Sequence, residues 1–219
     1  DQLMPVVIFS HGITGTRHLH QAMYEFLVSR GFIVIAPDHS FDANLTIFPD
    51  GHLADYRSNI TGHTDSVNVR TMQMNTRVAD ISFILDQLVK IQSGKIDAQI
   101  NAKIDLERIA VGGHSYGGST ATVVSQRDDR IKACFVLDSW ISPIPQETID
   151  DGIHIPFLFM GRPTWEGSDY PGNYPRLDNL MAHSSNPKYR LIIKGTKHLD
   201  YSDIPLFSPI IGYVLDVGS

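Results

Sequence analysis

Arg108-Ile109-Ala110-Val111-Gly112-Gly113-His114-Ser115-Tyr116-Gly117-Gly118-Ser119-Thr120 is the stretch from which the rest of the chain is read. It opens on an apolar, β-branched run with strand character, Arg108–Val111. Gly113-His114-Ser115-Tyr116-Gly117 then matches G-x-S-x-G, and the small residues that follow lead into a helix over Thr120–Val124. The pattern alone arises by chance in about one chain in ten of this length. Strand, sharp turn and helix around it are the context that gives it meaning. In such a turn Ser115 adopts a strained conformation, its hydroxyl stands above a sheet, and flanking glycines leave room where a side chain would strike backbone. The positive end of the following helix faces that hydroxyl.

Working outward, apolar runs recur at wide spacing: Val6–Phe9, Phe32–Ala36, Cys134–Leu137, Phe157–Met160 and Leu191–Ile193. None alternates cleanly, so both faces are expected to be buried, as in parallel strands covered by helices. Between them lie helical stripes. Leu19, Met23, Phe26 and Leu27 form one, stopped by Gly31; Val78, Ile81, Ile84, Leu85, Leu88 and Ile91 form another, ending near Gly94. Ser208-Pro209 reads as an N-cap and first-turn proline, with Ile210, Ile211, Val214 and Leu215 as a buried face. The expected fold class is α/β, a mostly parallel sheet with helices on both faces and right-handed crossovers. No repeat, low-complexity tract or linker marks a second domain, so residues 1–219 are read as one domain.

If Ser115 is a nucleophile, the chain must supply its partners. Ser10-His11-Gly12-Ile13-Thr14-Gly15 closes the first strand. A glycine-bearing loop there can present the N–H of Ile13, which with the N–H of Tyr116 would make an oxyanion hole. In this arrangement the order is Ser, acid, His along the chain. Of the later histidines, His154 precedes a strand and so lies at the wrong end of the sheet, and His183 sits in a polar segment. His198 follows the last strand at the carboxyl end, where ligands bind, and is the expected general base. For the acid, Asp138 ends the strand Cys134–Leu137, while Glu166 and Asp169 follow the next strand. Asp200 is too close to His198 on one loop to orient its ring. Position alone puts Asp138 slightly ahead, with Glu166 and Asp169 open.

Composition excludes several classes. Charged residues are 19 % and hydrophobic residues 42 % of the chain, which suits a packed globular domain and not a disordered one. Eighteen Lys+Arg against 24 Asp+Glu give a net charge of −6, without basic runs. That disfavours nucleic acid as a partner. A single cysteine, Cys134, excludes an internal disulfide and a Cys-rich zinc site; mid-strand, it reads as a core residue. No apolar run approaches the ~20 residues of a membrane helix. No signal segment is visible, and the sequence assigns neither compartment nor oligomeric state.

Other features carry less. His18-x-His20 lacks a carboxylate at ligand spacing, so neither metal nor cofactor is expected. Trp140 and Trp165, with His11, are assigned to the substrate pocket, although His11 is read as structural rather than catalytic and Trp140 serves equally as core. Asn44-Leu45-Thr46 and Asn59-Ile60-Thr61 are glycosylation sequons, a tripeptide that arises often by chance. The polar stretch Phe41 to Asn68 is long for a connection and is read as a lid, a substrate wall or a disordered insert.

Taken together, these motifs resemble the plasma and type II branch of the platelet-activating factor acetylhydrolase family, within the α/β-hydrolases. The likeness runs from about Pro5 to about Val214. It rests on Val6–Gly12, Ser29–Ala36, Arg108–Thr120, Val136-Leu137-Asp138-Ser139-Trp140 and Ile193–His198. It implies an α/β-hydrolase fold, a triad of Ser115, Asp138 and His198, oxyanion donors at Ile13 and Tyr116, and no metal. It also implies a carboxylic ester hydrolase for short acyl chains on lipid or small esters, with contact to a lipid surface at most peripheral. The family carries further strands ahead of the first one here, so the amino terminus reads as trimmed. Triacylglycerol lipases and polyester hydrolases share the nucleophile region and place the acid one strand later. An acyltransferase, or a silent relative with no catalysis, is the reading from a different class.

Overall fold

All six apolar runs form strands of one sheet in the computed structural model, which describes residues 3–58, 66–98, 103–166, 170–185, 187–215 and 217–218. In chain order the elements are β1 (Met4–Ser10), α1 (Gln21–Ser29), β2 (Ile33–Ile35), β3 (Leu45–Ile47), β4 (Leu53–Asp55) and α2 (Ser66–Gln92). They continue with β5 (Ile104–His114), α3 (Tyr116–Arg127), β6 (Ile131–Leu137), α4 (Gln146–Asp151), β7 (Phe157–Gly161), α5 (Asn173–His183) and β8 (Lys188–Ile192). The main sheet runs β2-β1-β5-β6-β7-β8, and every pairing in it is parallel. Strand order reverses after β2. Right-handed crossovers therefore put α1 on one face and α2 to α5 on the other.

The core sits on the second face. Val6, Ile8 and Val111 of the sheet meet Met74, Ile81 and Leu85 of α2 and Val123 and Val124 of α3, all buried. β1 is buried on both faces, as its unbroken apolar run requires. β8 is not: Leu191 and Ile193 are both largely exposed, against expectation. α1 covers only the β1–β2 end of its face, and Phe26, expected in its buried stripe, is exposed with the Arg30 guanidinium over its ring.

Two further expectations change. The helix expected after Ser208 is a 3₁₀ turn, Ile211–Tyr213, with Ile210, Tyr213 and Val214 exposed. So short a segment forms an α-helix only when its apolar face is packed, and among the described residues nothing covers this one. Through residue 58 the stretch after Phe41 has a defined structure, and none of its described residues lines the cavity beside Ser115. It holds the antiparallel β3–β4 hairpin and is anchored by the buried Asp42, Ala43 and Ala54. Asn59 lies outside the described residues.

Candidate active site

The sheet register brings the chemistry together. His114 at the end of β5 pairs with Leu137 at the end of β6, so Ser115 and Asp138 leave adjacent strands at one level. The N–H of Ser115 donates to the Leu137 carbonyl at 3.0 Å, and the N–H of Trp140 to the Ser115 carbonyl at 3.1 Å. Ser115 has φ 56°, a left-handed conformation that serine seldom adopts, which lifts its side chain off the sheet. Two glycines make that turn possible. A Cβ at Gly117 would lie 2.0 Å from the Ser10 carbonyl oxygen, and one at Gly113 2.2 Å from that of Gly117.

His198 arrives from the loop beyond β8, three strands from β5. Its Nε2 lies 2.9 Å from Ser115 Oγ and its Nδ1 2.6 Å from Asp138 Oδ2. An ionised carboxylate only accepts, so Nδ1 carries the proton and Nε2 is left to accept from the serine hydroxyl. His114 Nε2 donates to the His198 backbone carbonyl at 3.0 Å and so ties the loop of His198 to the turn that carries Ser115. Asp138 is fully buried, with φ 38°. Its Oδ1 accepts from the Arg162 N–H at 3.1 Å, and the Arg162 Nε stands 3.2 Å from Oδ2. Gly161 makes room for it, since a Cβ there would lie 3.0 Å from Asp138 Oδ1. Glu166 is exposed and Asp169 lies outside the described residues.

The N–H of Tyr116 is the first of α3, with no carbonyl one turn behind it. Among the described residues the Ile13 N–H donates to no backbone carbonyl. Both loops border a cavity of about 340 Å³ that also touches Ser115, Leu19, Leu199 and Ile204. None of the described residues that line it is Lys, Arg, Asp or Glu.

The assigned pocket residues fall elsewhere. His11 is fully buried; its Nδ1 donates to the Gly12 carbonyl at 2.6 Å and its Nε2 accepts from the His39 N–H at 3.1 Å. Trp140 packs in the core between Tyr116 and Tyr170. Trp165 is buried behind the site, edge-on to His198 at 5.4 Å with the Arg162 guanidinium 4.1 Å over its ring. Large rings are drawn into the interior because they bury the most apolar area, and here they back the site rather than line it. Leu199, Ser202 and Ile204, which do line it, gave no signal in sequence because nothing in a loop's composition shows which way it folds.

Four buried histidines surround these elements. Burial pushes His20 down to about 4; burial, aided by the charge of His198, lowers His114; and burial with the charge of Arg77 lowers His11 and His39. All four are neutral in the folded protein, whereas in the unfolded chain they protonate near 6.5. Between pH 6.5 and 4 the unfolded state therefore binds more protons, and stability is lost as pH falls. For His20 alone the slope is on the order of 1 kcal/mol per pH unit. The urea midpoint is expected to drop clearly from pH 7.5 to pH 5; an unchanged midpoint would contradict neutral burial.

Among the described residues no helix is long and apolar enough to cross a membrane, and no cluster of His, Cys, Asp and Glu could hold a metal. A family model described as "Platelet-activating factor acetylhydrolase, isoform II" matches residues 1–218. The platelet-activating factor acetylhydrolase of Canis lupus familiaris is 27% identical over 230 residues, covering 96% of this chain and 51% of that protein. The one from Gallus gallus is 26% identical, covering 95% and 55%. A probable 1-alkyl-2-acetylglycerophosphocholine esterase of Arthroderma benhamiae is 29% identical, covering 92% and 49%. The chain thus spans about half the length of the curated relatives it matches. Among solved structures, a ferulic acid esterase from Streptomyces cinnamoneus superposes with a TM-score of 0.76 at 25% identity, over 97% of this chain and 56% of that one.

Proposed function

The chain belongs to the platelet-activating factor acetylhydrolase, isoform II, family, and from that premise we propose that it is a serine ester hydrolase for short acyl chains. The observation that carries this reading is the unbroken chain from Ser115 Oγ through His198 to Asp138, at 2.9 and 2.6 Å. Ser115 Oγ attacks the acyl carbonyl carbon while His198 Nε2 takes its proton. The N–H groups of Ile13 and Tyr116 hold the oxyanion. Collapse of the tetrahedral intermediate breaks the bond to the leaving oxygen, which receives the proton from His198. Water then adds to the acyl-serine, giving its proton to His198, and the acid departs as Ser115 is restored. Asp138 keeps the imidazole in the required tautomer and stabilises its cation.

The preference for short acyl chains is supported by the family and by the cavity of about 340 Å³, which is near the lower end of ligand-pocket sizes. Its lining without formal charge suits the uncharged part of an ester and leaves any charged head group outside. The test is hydrolysis of nitrophenyl esters from acetate to palmitate. Turnover is expected to be greatest at acetate or butyrate and at least tenfold lower by octanoate. Turnover that rises with chain length would replace this reading with a lipase. Folded protein inactive on every ester would overturn hydrolysis itself.

A further inference from the structure

Beneath the oxyanion loop lies a buried ion cluster that the reaction as described does not use. Arg70 and Arg77 project from α2, seven residues and so two turns apart, on the stripe that also carries Met74 and Ile81. Both arginines are buried, as is Asp42 between them. Arg77 Nε donates to Asp42 Oδ2 at 2.6 Å and Arg70 Nη1 to Oδ1 at 3.1 Å. Burial pushes the Asp42 carboxyl up, and the charges of Arg77 and Arg70 outweigh it and hold the group below its ordinary value.

Two buried cations around one carboxylate are costly to desolvate, and a packed apolar cluster would serve stability as well. What the cations hold is more informative. Arg77 Nη1 donates to the His11 carbonyl at 2.6 Å, and Nη2 reaches at 3.4 Å the Gly12 carbonyl, which also accepts from His11 Nδ1 at 2.6 Å and from the Gly15 N–H at 3.1 Å. The Gly12 carbonyl and the Ile13 N–H belong to one planar trans peptide and point in opposite directions, so fixing the carbonyl aims the N–H. On the other side of Ile13, the Thr14 N–H donates to the Asp42 backbone carbonyl at 3.2 Å. Tyr116, the other donor, is held by the same cluster. Its hydroxyl donates to the Arg70 carbonyl at 2.6 Å, and the Arg77 and Arg70 guanidinium carbons stand 4.7 and 5.0 Å from its ring centroid.

We propose that Arg77 is a positioning residue for oxyanion stabilisation: with Asp42 it braces, through the His11 carbonyl, the loop that presents Ile13, and it backs the ring of Tyr116, so one buried cation supports the segments that carry both donors. The inference rests on the esterase reading above. Donors that are fixed before reaction cost no reorganisation when charge develops, so loosening them is felt in the transition state more than in ground-state binding.

The test uses Arg77→Lys, which keeps charge without the planar fork, alongside Arg77→Met and the near-isosteric Asp42→Asn. Active sites are titrated first, so that unfolded protein is not counted. Per active site, Arg77→Lys and Asp42→Asn are expected to lower kcat at least tenfold with KM within threefold, and Arg77→Met to lower it further. Affinity for a trifluoromethyl ketone, whose serine adduct carries the oxyanion, falls by a similar factor. Affinity for the matching methyl ketone, a ground-state mimic, does not. A merely structural role predicts lower thermal stability with kcat per site within twofold of wild type, and that result overturns the proposal; Asp42→Asn decides alone if neither Arg77 variant folds. Wild-type protein indifferent to the trifluoromethyl ketone would instead sink the esterase reading.

Discussion

Ser115→Ala is expected to abolish ester turnover, by a factor on the order of 10⁶ if the serine protease precedent holds. The substitution deletes one oxygen, the atom 2.9 Å from His198 Nε2, and leaves the hydrogen bonds of the turn in place. The Leu137 carbonyl still accepts from residue 115 and the Trp140 N–H still donates to it, because both contacts are backbone. Alanine tolerates φ 56° no better than serine does, so the strain of the turn is common to both. Stability should therefore change by less than about 1 kcal/mol. Nitrophenyl acetate turnover and a thermal melt, measured side by side, check both halves. Turnover above one hundredth of wild type would show that another group is the nucleophile.

Asp138→Asn should cost on the order of 10⁴-fold in kcat. A carboxylate at 2.6 Å from Nδ1 compels that nitrogen to carry the proton. A carboxamide can instead donate to Nδ1, which leaves the proton on Nε2, where it can no longer accept from Ser115. The fold should survive, since the amide still offers an oxygen to the Arg162 N–H, and the neighbouring guanidinium loses a charge partner without losing its stacking on Trp165. The paired control is Glu166→Gln. Glu166 is exposed, and both ring nitrogens of His198 are already engaged, so its turnover should stay within about twofold of wild type, as for a surface change. The reverse pattern, an active Asp138→Asn and an inactive Glu166→Gln, would move the acid one strand along.

The arginine pair under loop 10–15 was also within reach of the sequence. Arg70, Met74, Arg77, Val78 and Ile81 follow helical spacing, and charges on an otherwise apolar stripe point to a buried network. The unbroken apolar stripe begins only at Val78, so both arginines fall outside it.

What the sequence determined by itself is whatever is local. Six apolar runs specified six strands, because short runs of such residues between turn signals favour extended backbone, whether buried on both faces as in β1 or left exposed at the sheet edge as in β8. The glycines around Ser115 specified the turn, because neighbouring backbone approaches to within 2.2 Å of where a side chain would begin. The family could be read from the same motifs, and the match over residues 1–218 bears that out. The tertiary structure decided what depends on neighbours distant in the chain. Along the chain Asp138 is only slightly ahead of Glu166, each following an apolar strand; the β5–β6 register sets Asp138 level with Ser115, the loop beyond β8 brings His198 to both, and Glu166 is left facing solvent. The rings of Trp140 and Trp165 went to the interior and not to the cavity, since aromatic composition does not fix which side of a wall a ring occupies. The apolar stripe after Ser208 became exposed 3₁₀ turns, because periodicity supplies a face to bury while only a packed partner makes burying it favourable.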